Sequence, residues 1–445
     1  MSRTTHDTLP SYRHLLVFFI PLALSNTLMT LEPLIINTAL SRAPRAELTL
    51  AAYDVMFGIS LVIEAPVIML LSASTALTRS KAAFRRLARF SVAMGVGAVT
   101  VGFLVALTPL YGWLVRDLMD IPPAVAEVAR TPLIIMVIWS LPIAWRRFLQ
   151  GVLIRYDRTP VVTMATAVRL VALVVALVIG GRLMPERMLV VGAIAMQVSV
   201  FLEALFVTPP ALAAMREMPE EDPYNGGSIG WRALIGFYQP LATMMILRQV
   251  GRPMISAGIA AAALPQLSLA AWSVVLSVVL LPFGATLGLE QLAIAKGRTP
   301  AAMERVRRFV WGAGLALAGG LALVAFTPLV DPVLDGMFGL TPELKSLVVA
   351  GLRLMAVMPL LQSLQALLRG VAIDQNRTRD IRTAMALALA GVGLVALVGP
   401  RVSFCLGVTI GAAANLVAAA AEVGWLAWRE RRAGQAARRA ASRWG

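Results

Sequence analysis

The chain is poor in the residues that build metal centres, disulfides and nucleotide sites. Its 445 residues include one cysteine, Cys405, and two histidines, His6 and His14, both near the N-terminus. One cysteine forms no disulfide within the chain, and this set is too small for a zinc or iron–sulfur site. None of the three lysines follows a glycine, so the Gly-Lys-Ser/Thr signature of a phosphate-binding loop is missing. The sequence therefore predicts no metal, no cofactor and no ATPase of its own.

Charge is also scarce. Asp, Glu, Lys and Arg make up 14% of the residues, whereas soluble proteins have about 25%. Hydrophobic residues make up 58%, and apolar runs of about twenty residues, the length that crosses a bilayer, recur along the whole chain. The sequence therefore predicts an all-α polytopic membrane protein, with twelve transmembrane helices.

The excess of positive charge follows the predicted topology. If the N-terminus is cytoplasmic, 28 Lys and Arg residues fall on the inner side and 8 in the outer loops. This bias is typical of membrane proteins whose cytoplasmic loops are basic. We therefore expect an integral protein of the cell (inner) membrane with both termini cytoplasmic, and no nucleic-acid partner. The basic C-terminal tail is expected to lie near membrane lipid.

The two halves of the chain repeat each other at one constant offset. "TPLYGWLVRDLMDIPPAV" begins at residue 108 and "TPLVDPVLDGMFGLTPEL" at residue 327, and "LQGVLIRYDRT" at 149 matches "LRGVAIDQNRT" at 368 with the same separation. Such a constant offset indicates an internal duplication. We predict two pseudo-symmetric six-helix lobes around a central cleft: an N lobe (1–213), a cytoplasmic linker (214–230), a C lobe (231–430) and a basic cytoplasmic tail (431–445).

Two arginines lie in an otherwise apolar stretch, "ILRQVGRPMIS" at residues 246–256. Arg248 and Arg252 are four residues apart, so on a helix both point to one side. Arg353 lies in a later predicted span. A charge at membrane depth costs about 2.5–3.5 kcal/mol and faces a partner or a watery cavity. Because guanidinium binds carboxylate or phosphate through two donors, we expect Arg248, Arg252 and Arg353 to bind a small anionic substrate.

Acidic residues occur at similar depths in the first half. Glu32 lies in the first predicted span, and Asp54 and Glu64 lie in the second. They are predicted coupling-ion or gate residues, with H⁺ or Na⁺ as the coupling ion. The arginines would alternatively pair with Glu32 or Glu64 across the cleft, or face lipid. For Glu64, in "VIEAPVI", support of a proline bend is the alternative. Asn26 is expected to contact substrate or Na⁺, or to bond a neighbouring helix.

Five further charged residues are open to structural or functional interpretation. Arg146 and Arg147, near the inner end of the fourth span, are either topological charges or an inner anion gate. Arg169 is predicted to reach towards the cytoplasmic face. Glu203 and Glu422 stand at equivalent positions of the two repeats. We therefore expect them to share a structural role.

Several stretches resemble the progressive ankylosis (ANK) transporter family. They are "FFIPLALSN" and "AAYDVMFGISLVIEAP" in the first half, and "FYQPLATMMILRQVGRP", "LPFG" and "LRLMAVMPLLQSLQALLRG" in the second. The family belongs with the multidrug/oligosaccharidyl-lipid/polysaccharide (MOP) exporters, which include MATE antiporters and lipid-linked saccharide flippases. The resemblance implies a twelve-helix, two-lobed fold and export of small polyanions such as pyrophosphate, nucleotides or citrate.

Two lobes around a cleft, without an ATPase, predict a secondary active transporter that works by alternating access. We expect export of small organic or phosphate-type anions, no enzymatic activity and no obligate protein partner. A MATE-like multidrug or cation antiporter is an alternative that would require an acidic cleft. A lipid-linked saccharide flippase would require a groove open to lipid. A membrane enzyme would need a paired acid and base or a metal cluster, and an interaction scaffold would not need charges at membrane depth.

Overall fold

The computed structural model describes residues 11–156, 158–221, 230–296, 299–375, 377–402 and 406–441. Within these ranges the chain is helical apart from turns, caps and one isolated bridge between Ala263 and Leu406. A π-helix (Trp113–Leu118) and two 3-10 turns (Pro185–Arg187 and Gly399–Arg401) join the longer helices. The α-helices are α1 (Tyr12–Leu40), α2 (Ala46–Ile68), α3 (Leu70–Leu77), α4 (Lys81–Leu107), α5 (Leu110–Gly112), α6 (Pro123–Val137), α7 (Ser140–Arg155), α8 (Thr159–Leu183), α9 (Met188–Arg216), α10 (Trp231–Ala260), α11 (Pro265–Lys296), α12 (Pro300–Phe326), α13 (Val330–Met337), α14 (Pro342–Met355), α15 (Met358–Asp374), α16 (Thr378–Val398) and α17 (Gly407–Ala441).

The repeat read from the sequence reappears in the helix bounds. The first and last residues of α12 follow those of α4 by the same number of positions that separates the sequence repeats. The first residues of α1 and α10 have the same separation. The first turns of α4 and α12 are capped alike, because Ser80 accepts a hydrogen bond from the Ala83 amide and Thr299 accepts one from the Ala302 amide, both at 3.2 Å. A capping hydroxyl satisfies an amide that has no partner within the helix. The two lobes are thus built on one plan.

The polytopic membrane fold predicted from the sequence is confirmed, but the number of twelve spans is not. In the described part of the chain, nine helical segments are long and apolar enough to cross a membrane. They become ten if α6 and α7, bent by 45° at their junction, form one span. α1 and α10 are not among the nine, although they have 29 and 30 residues.

The lobes pack tightly against each other along one part of α2. We call the end where α1 begins (Tyr12) and α10 begins (Trp231) the near face, and the opposite end the far face. α1 packs along α11 and α10 packs along α2. Towards the far face, every α2 residue from Leu50 to Ile59 is buried. At the near face, by contrast, Trp231 and Ile235 of α10 are 46% and 51% exposed.

The near-face ends of α1 and α10 each pack on the opposite lobe. α1 contacts α12 of the C lobe, and α10 contacts α4 of the N lobe. The contacts come in repeat-related pairs, which are Phe19 with Phe309 (5.7 Å between ring centroids), Tyr238 with Phe90 (4.8 Å), Arg305 above Tyr12 (5.8 Å) and Arg86 above Trp231 (5.9 Å). At the near face, the first helix of each lobe therefore packs against the opposite lobe.

The lobe boundaries predicted from sequence differ slightly from the helix ends. α9 continues past residue 213 to Arg216, and α17 continues past residue 430 to Ala441. The start of the predicted linker folds back on α4, where the Lys81 amide donates to the Pro219 carbonyl at 2.9 Å. Residues 222–229 of the linker and 442–445 of the tail lie outside the described residues. The assignment of both segments to the cytoplasm remains a prediction.

Candidate functional site

A buried ion network occupies the middle of the N lobe. Arg169 of α8 lies between two carboxylates, bonding Glu32 of α1 and lying 3.2 Å from Glu203 of α9 (Nε to Oε2). The Oε2 atom of Glu203 also lies 2.8 Å from Nη1 of Arg146, and its Oε1 atom accepts a hydrogen bond from the Gln150 amide at 3.0 Å. All five side chains are buried. Buried charges require such pairing because an unpaired ion costs several kcal/mol of desolvation.

This network corrects the expectations for three residues. Arg169 was expected to reach the cytoplasmic face, but it is 6% exposed because two acids hold it inside the lobe. Glu32 was one of the expected partners of Arg248 and Arg252, but its partner is Arg169. Arg146 was expected to be a topological charge or a gate, yet it is buried against Glu203.

The C lobe repeats this arrangement with the arginine and the glutamine exchanged. Glu422 of α17, the counterpart of Glu203, accepts hydrogen bonds from Arg369 at 2.7 Å and from Gln365 at 2.8 Å. Gln365 and Arg369 stand at the positions that correspond to Arg146 and Gln150. The shared structural role expected for the two glutamates is consistent with this geometry.

The remaining ion pair of the N lobe has no counterpart in the C lobe. The positions that correspond to Glu32 and Arg169 are Gly251 and Ala388. Both line a cavity of about 330 Å³ between α10, α11, α15, α16 and α17. The cavity therefore lies where the N lobe places two long charged side chains. Its polar and small lining residues are Arg248, Gln249, Gly251, Arg252, Gln365, Arg369, Ala388, Asn415, Ala418, Ala419 and Glu422.

The cavity lining carries more positive than negative charge. It includes three arginines and one carboxylate, Glu422, which already pairs with Arg369. Arg248 is exposed to the cavity and makes no ion pair within the described ranges. The arrangement leaves guanidinium donors free, a geometry suited to a carboxylate or a phosphate.

Arg252 connects the cavity to the far-face closure between the lobes. Its Nη2 lies 3.2 Å from Asp54 Oδ1 of α2, and its guanidinium lies 5.0 Å from the centre of the Phe57 ring. Ser256 donates a hydrogen bond to the other oxygen of Asp54 at 2.6 Å. Asp54 is fully buried. Asp54 therefore joins the lobes, and its role as a coupling-ion or gate residue stays a prediction.

A second bond between the lobes lies at the repeat-related positions. Ser273 of α11 donates to the side-chain oxygen of Asn37 in α1 at 3.0 Å, and the Asn37 amide donates to the Ser273 carbonyl at 3.2 Å. Asn37 corresponds to Ser256, and Ser273 corresponds to Asp54. Repeat-related positions thus link the lobes on both sides of the far face, through a charged contact at Asp54 and a neutral contact at Asn37.

Three other residues singled out from the sequence lie away from the cavity. Arg353 is exposed, stacks above Phe326 at 5.7 Å and donates to the Ala325 carbonyl at 3.1 Å, so it does not join Arg248 and Arg252. Asn26 is half-buried in α1, which packs on α11. Glu64 is 5% exposed in α2 and makes no ion pair within the described part of the chain.

Sequence reasoning missed Arg369, because its place near a basic loop made it one of the inner-side charges. The repeat contains the signal that would have found it. Glu203 and Glu422 match, and each has an arginine and a glutamine at the two corresponding earlier positions. A comparison of Glu32 and Arg169 with Gly251 and Ala388 would also have located the cavity.

Comparisons with known proteins agree on the fold. The structure resembles an inward-facing multidrug resistance MATE family transporter of the MOP superfamily, at 15% identity over 92% of this chain and 97% of that chain, with a TM-score of 0.67. It resembles the lipid II flippase MurJ in an inward closed conformation, at 10% identity over 94% and 87% of the two chains, with a TM-score of 0.67.

A MOP superfamily transporter from Pyrococcus furiosus, described as having a binding pocket of reversed polarity, is also similar. It matches at 16% identity over 96% of this chain and 98% of that chain, with a TM-score of 0.59. No curated protein matches the chain in sequence. The family model of the progressive ankylosis protein (ANKH) matches residues 4–287, which include the N lobe, α10 and most of α11. The chain therefore belongs to the progressive ankylosis protein family and has the fold of the MOP-superfamily transporters.

Proposed function

We propose that the protein is a secondary active exporter of small organic or phosphate-type anions, with the C-lobe cavity as its binding site. One observation carries the proposal. Arg248, Arg252 and Arg369 line a cavity that exists because Gly251 and Ala388 replace the ion pair of the N lobe. Arg248 and Arg369 are assigned to the substrate, and Arg252 to both substrate and gate.

The charges of the two lobes favour an anion over a cation. In the N lobe, Glu32 and Glu203 are already neutralised by Arg169 and Arg146. In the cavity, the carboxylate of Glu422 is already paired with Arg369. A cation entering the cavity would meet Arg248, which makes no ion pair within the described ranges, whereas an anion would replace part of the solvation that the guanidinium loses at membrane depth.

The size of the cavity favours a small anion. Ligand pockets have volumes of roughly 300–1,000 Å³, so about 330 Å³ is at the lower end of this range. A compact polyanion of the citrate or pyrophosphate type fits this size better than a nucleotide or the saccharide of a lipid-linked precursor. The flippase alternative would require the cavity to enlarge.

The contact between Arg252 and Asp54 supports a mechanism for coupling binding to opening. An anion bound beside Arg248 would compete with Asp54 for the Arg252 guanidinium. Loss of that ion pair would weaken one of the polar links that close the far face. The substrate can bias the lobes only if it binds one arrangement better than the other, and this competition supplies such a difference.

Glu64 is the candidate for the coupling ion. It is the buried carboxylate of α2 that lacks an ion pair within the described ranges, so it would be able to gain and lose H⁺ or to contact Na⁺. Membrane-embedded acids of this kind commonly belong to ion pathways. Asn26 remains a candidate for a polar contact in the same lobe. Cytoplasmic termini and the cell (inner) membrane remain part of the proposal, on the distribution of basic residues.

Thermal stability of the purified protein tests the substrate class. Citrate, pyrophosphate, ATP, a lipid-linked sugar and a lipophilic cation are added at fixed ionic strength. A ligand at a hundred times its dissociation constant stabilises the folded state by about 2.7 kcal/mol. We expect citrate or pyrophosphate to raise the midpoint in the wild type, and the shift to disappear in Arg248→Gln.

The matched control is Arg353→Gln, which removes the same charge outside the cavity and should keep the shift. A shift with the lipophilic cation alone, preserved in Arg248→Gln, would favour the MATE-like antiporter. A shift with the lipid-linked sugar alone would favour the flippase. Either result would overturn the anion proposal.

A further inference from the structure

A long apolar groove runs between the lobes, separate from the anion cavity. Its volume is about 930 Å³, and its walls are α2 and α4 of the N lobe and α10 and α16 of the C lobe. Asp120, at the far-face end, is the one charged residue of the lining, and the others are apolar or glycine. Along α10 the groove extends from Ile246 to Ala261, about 22 Å at ~1.5 Å per residue.

The repeat explains why the α2–α10 side has room for a groove. On the other side, α1 lies so close to α11 that a Cβ on Gly284 would be 2.5 Å from the Thr27 Cα. The positions that correspond to Gly284 and Thr27 are Ala65 and Ile246. The methyl group of Ala65, where Gly284 has none, keeps α10 from approaching α2 equally closely, and Ile246 lines the resulting space.

We propose that this groove binds one acyl chain of a zwitterionic phospholipid from the far-face leaflet. Three of its walls, α2, α4 and α16, are among the segments that can cross a membrane, so the surrounding medium is lipid. An empty apolar groove would forfeit van der Waals contacts that a hydrocarbon chain supplies. Its length exceeds half of a ~30 Å hydrocarbon core, so it accommodates a whole chain.

The charges at the far-face mouth indicate the headgroup. Asp120 is part of the lining, and Asp117 and Arg116 are exposed on the adjoining π-helix. On the C-lobe side, Arg401 donates a hydrogen bond to the carbonyl of Leu397, another lining residue, at 2.7 Å. Carboxylates and guanidiniums at one mouth complement a headgroup that carries an ammonium and a phosphate.

A bound chain would favour this arrangement of the lobes. The groove has walls from both lobes, so a relative movement of α2 and α10 changes its shape. A chain that fits the groove therefore binds this arrangement better than others and stabilises it. This inference does not depend on the anion proposal, because none of the cavity arginines lines the groove.

Photolabelling in nanodiscs tests the assignment. The protein is placed in phosphatidylethanolamine that contains a fraction of the same lipid with a diazirine midway along one chain. After irradiation, labelled peptides are identified by mass spectrometry. We expect at least fivefold more label on residues 93–105 of α4 than on the corresponding residues 312–324 of α12. A phosphatidylglycerol probe with the same chain should label α4 less.

Two matched variants make the result specific. Gly97→Phe fills the groove, and the backbone tolerates it because no atom lies within 4 Å of an added Cβ. Ala316→Phe places the same ring at the corresponding position of α12. We expect Gly97→Phe to reduce the α4 label to the α12 level and Ala316→Phe to leave it unchanged. Equal labelling of α4 and α12, insensitivity to Gly97→Phe, a stronger phosphatidylglycerol signal, or displacement by a lipophilic cation would each overturn the proposal.

Discussion

Restoring the ion pair that the C lobe lacks should close the anion cavity. Gly251→Glu together with Ala388→Arg recreates the pair formed by Glu32 and Arg169 at the corresponding positions. A Cβ on Gly251 would lie 3.7 Å from a Leu389 methyl, an ordinary contact, so the backbone admits the side chain. The change adds about eleven heavy atoms. Each of them occupies no more than ~30 Å³, the volume that one water molecule occupies in the liquid. They would fill much of the 330 Å³.

The expected loss of affinity follows from the contacts that the new side chains replace. A hydrogen bond to a charged group contributes about 1.5–3 kcal/mol, so loss of the anion's contacts to two arginines costs about 3–6 kcal/mol. At about 1.4 kcal/mol per decade, the dissociation constant should rise at least 100-fold. Titration calorimetry with citrate and pyrophosphate in detergent measures it. If the double variant folds and binds within threefold of the wild type, the cavity is not the binding site.

Three further predictions concern the buried charges. Glu203→Gln leaves Arg146 and Arg169 undercompensated and should lower the free energy of unfolding by about 3–5 kcal/mol, measured by chemical denaturation. Glu220→Gln, in an exposed pair with Lys81, should cost at most about 1 kcal/mol, and equal losses would contradict the network's role. Asp54→Asn should broaden spin-label distances between positions 127 and 261 at the far face, measured with Cys405 replaced by serine, and an unchanged distribution would argue against the gate. Glu64→Gln should make anion uptake in proteoliposomes independent of pH if Glu64 carries the coupling proton, whereas a retained wild-type pH profile would exclude it.

The fold was largely predictable because the internal duplication and the long apolar runs can be recognised in the sequence itself. The offset read from short matching stretches, such as those beginning at Thr108 and Thr327, is also the offset between α4 and α12. What the offset does not reveal is that the near-face ends of α1 and α10 pack on the opposite lobe. That exchange depends on aromatic contacts such as Phe19 with Phe309, which join residues far apart in the chain.

The site was predictable only in part. Arg248, Arg252 and Asp54 stand out because charges are costly in apolar spans, and the structure places them on facing helices. Their pairing was not predictable, because Glu32 and Glu64 lie at similar depths and sequence spacing does not fix which way a helix faces. Arg369 was obscured because a basic residue near a loop is usually a topological charge.

Uptake into proteoliposomes tests the central claim most directly. Purified protein is reconstituted, and the accumulation of radiolabelled citrate and of pyrophosphate is followed against protein-free liposomes. We predict saturable uptake of at least one of these anions by the wild type and by Arg353→Gln, and at least a tenfold reduction in Arg248→Gln. Absence of anion uptake beside transport of a lipophilic cation, or anion uptake that survives Arg248→Gln, would contradict the account.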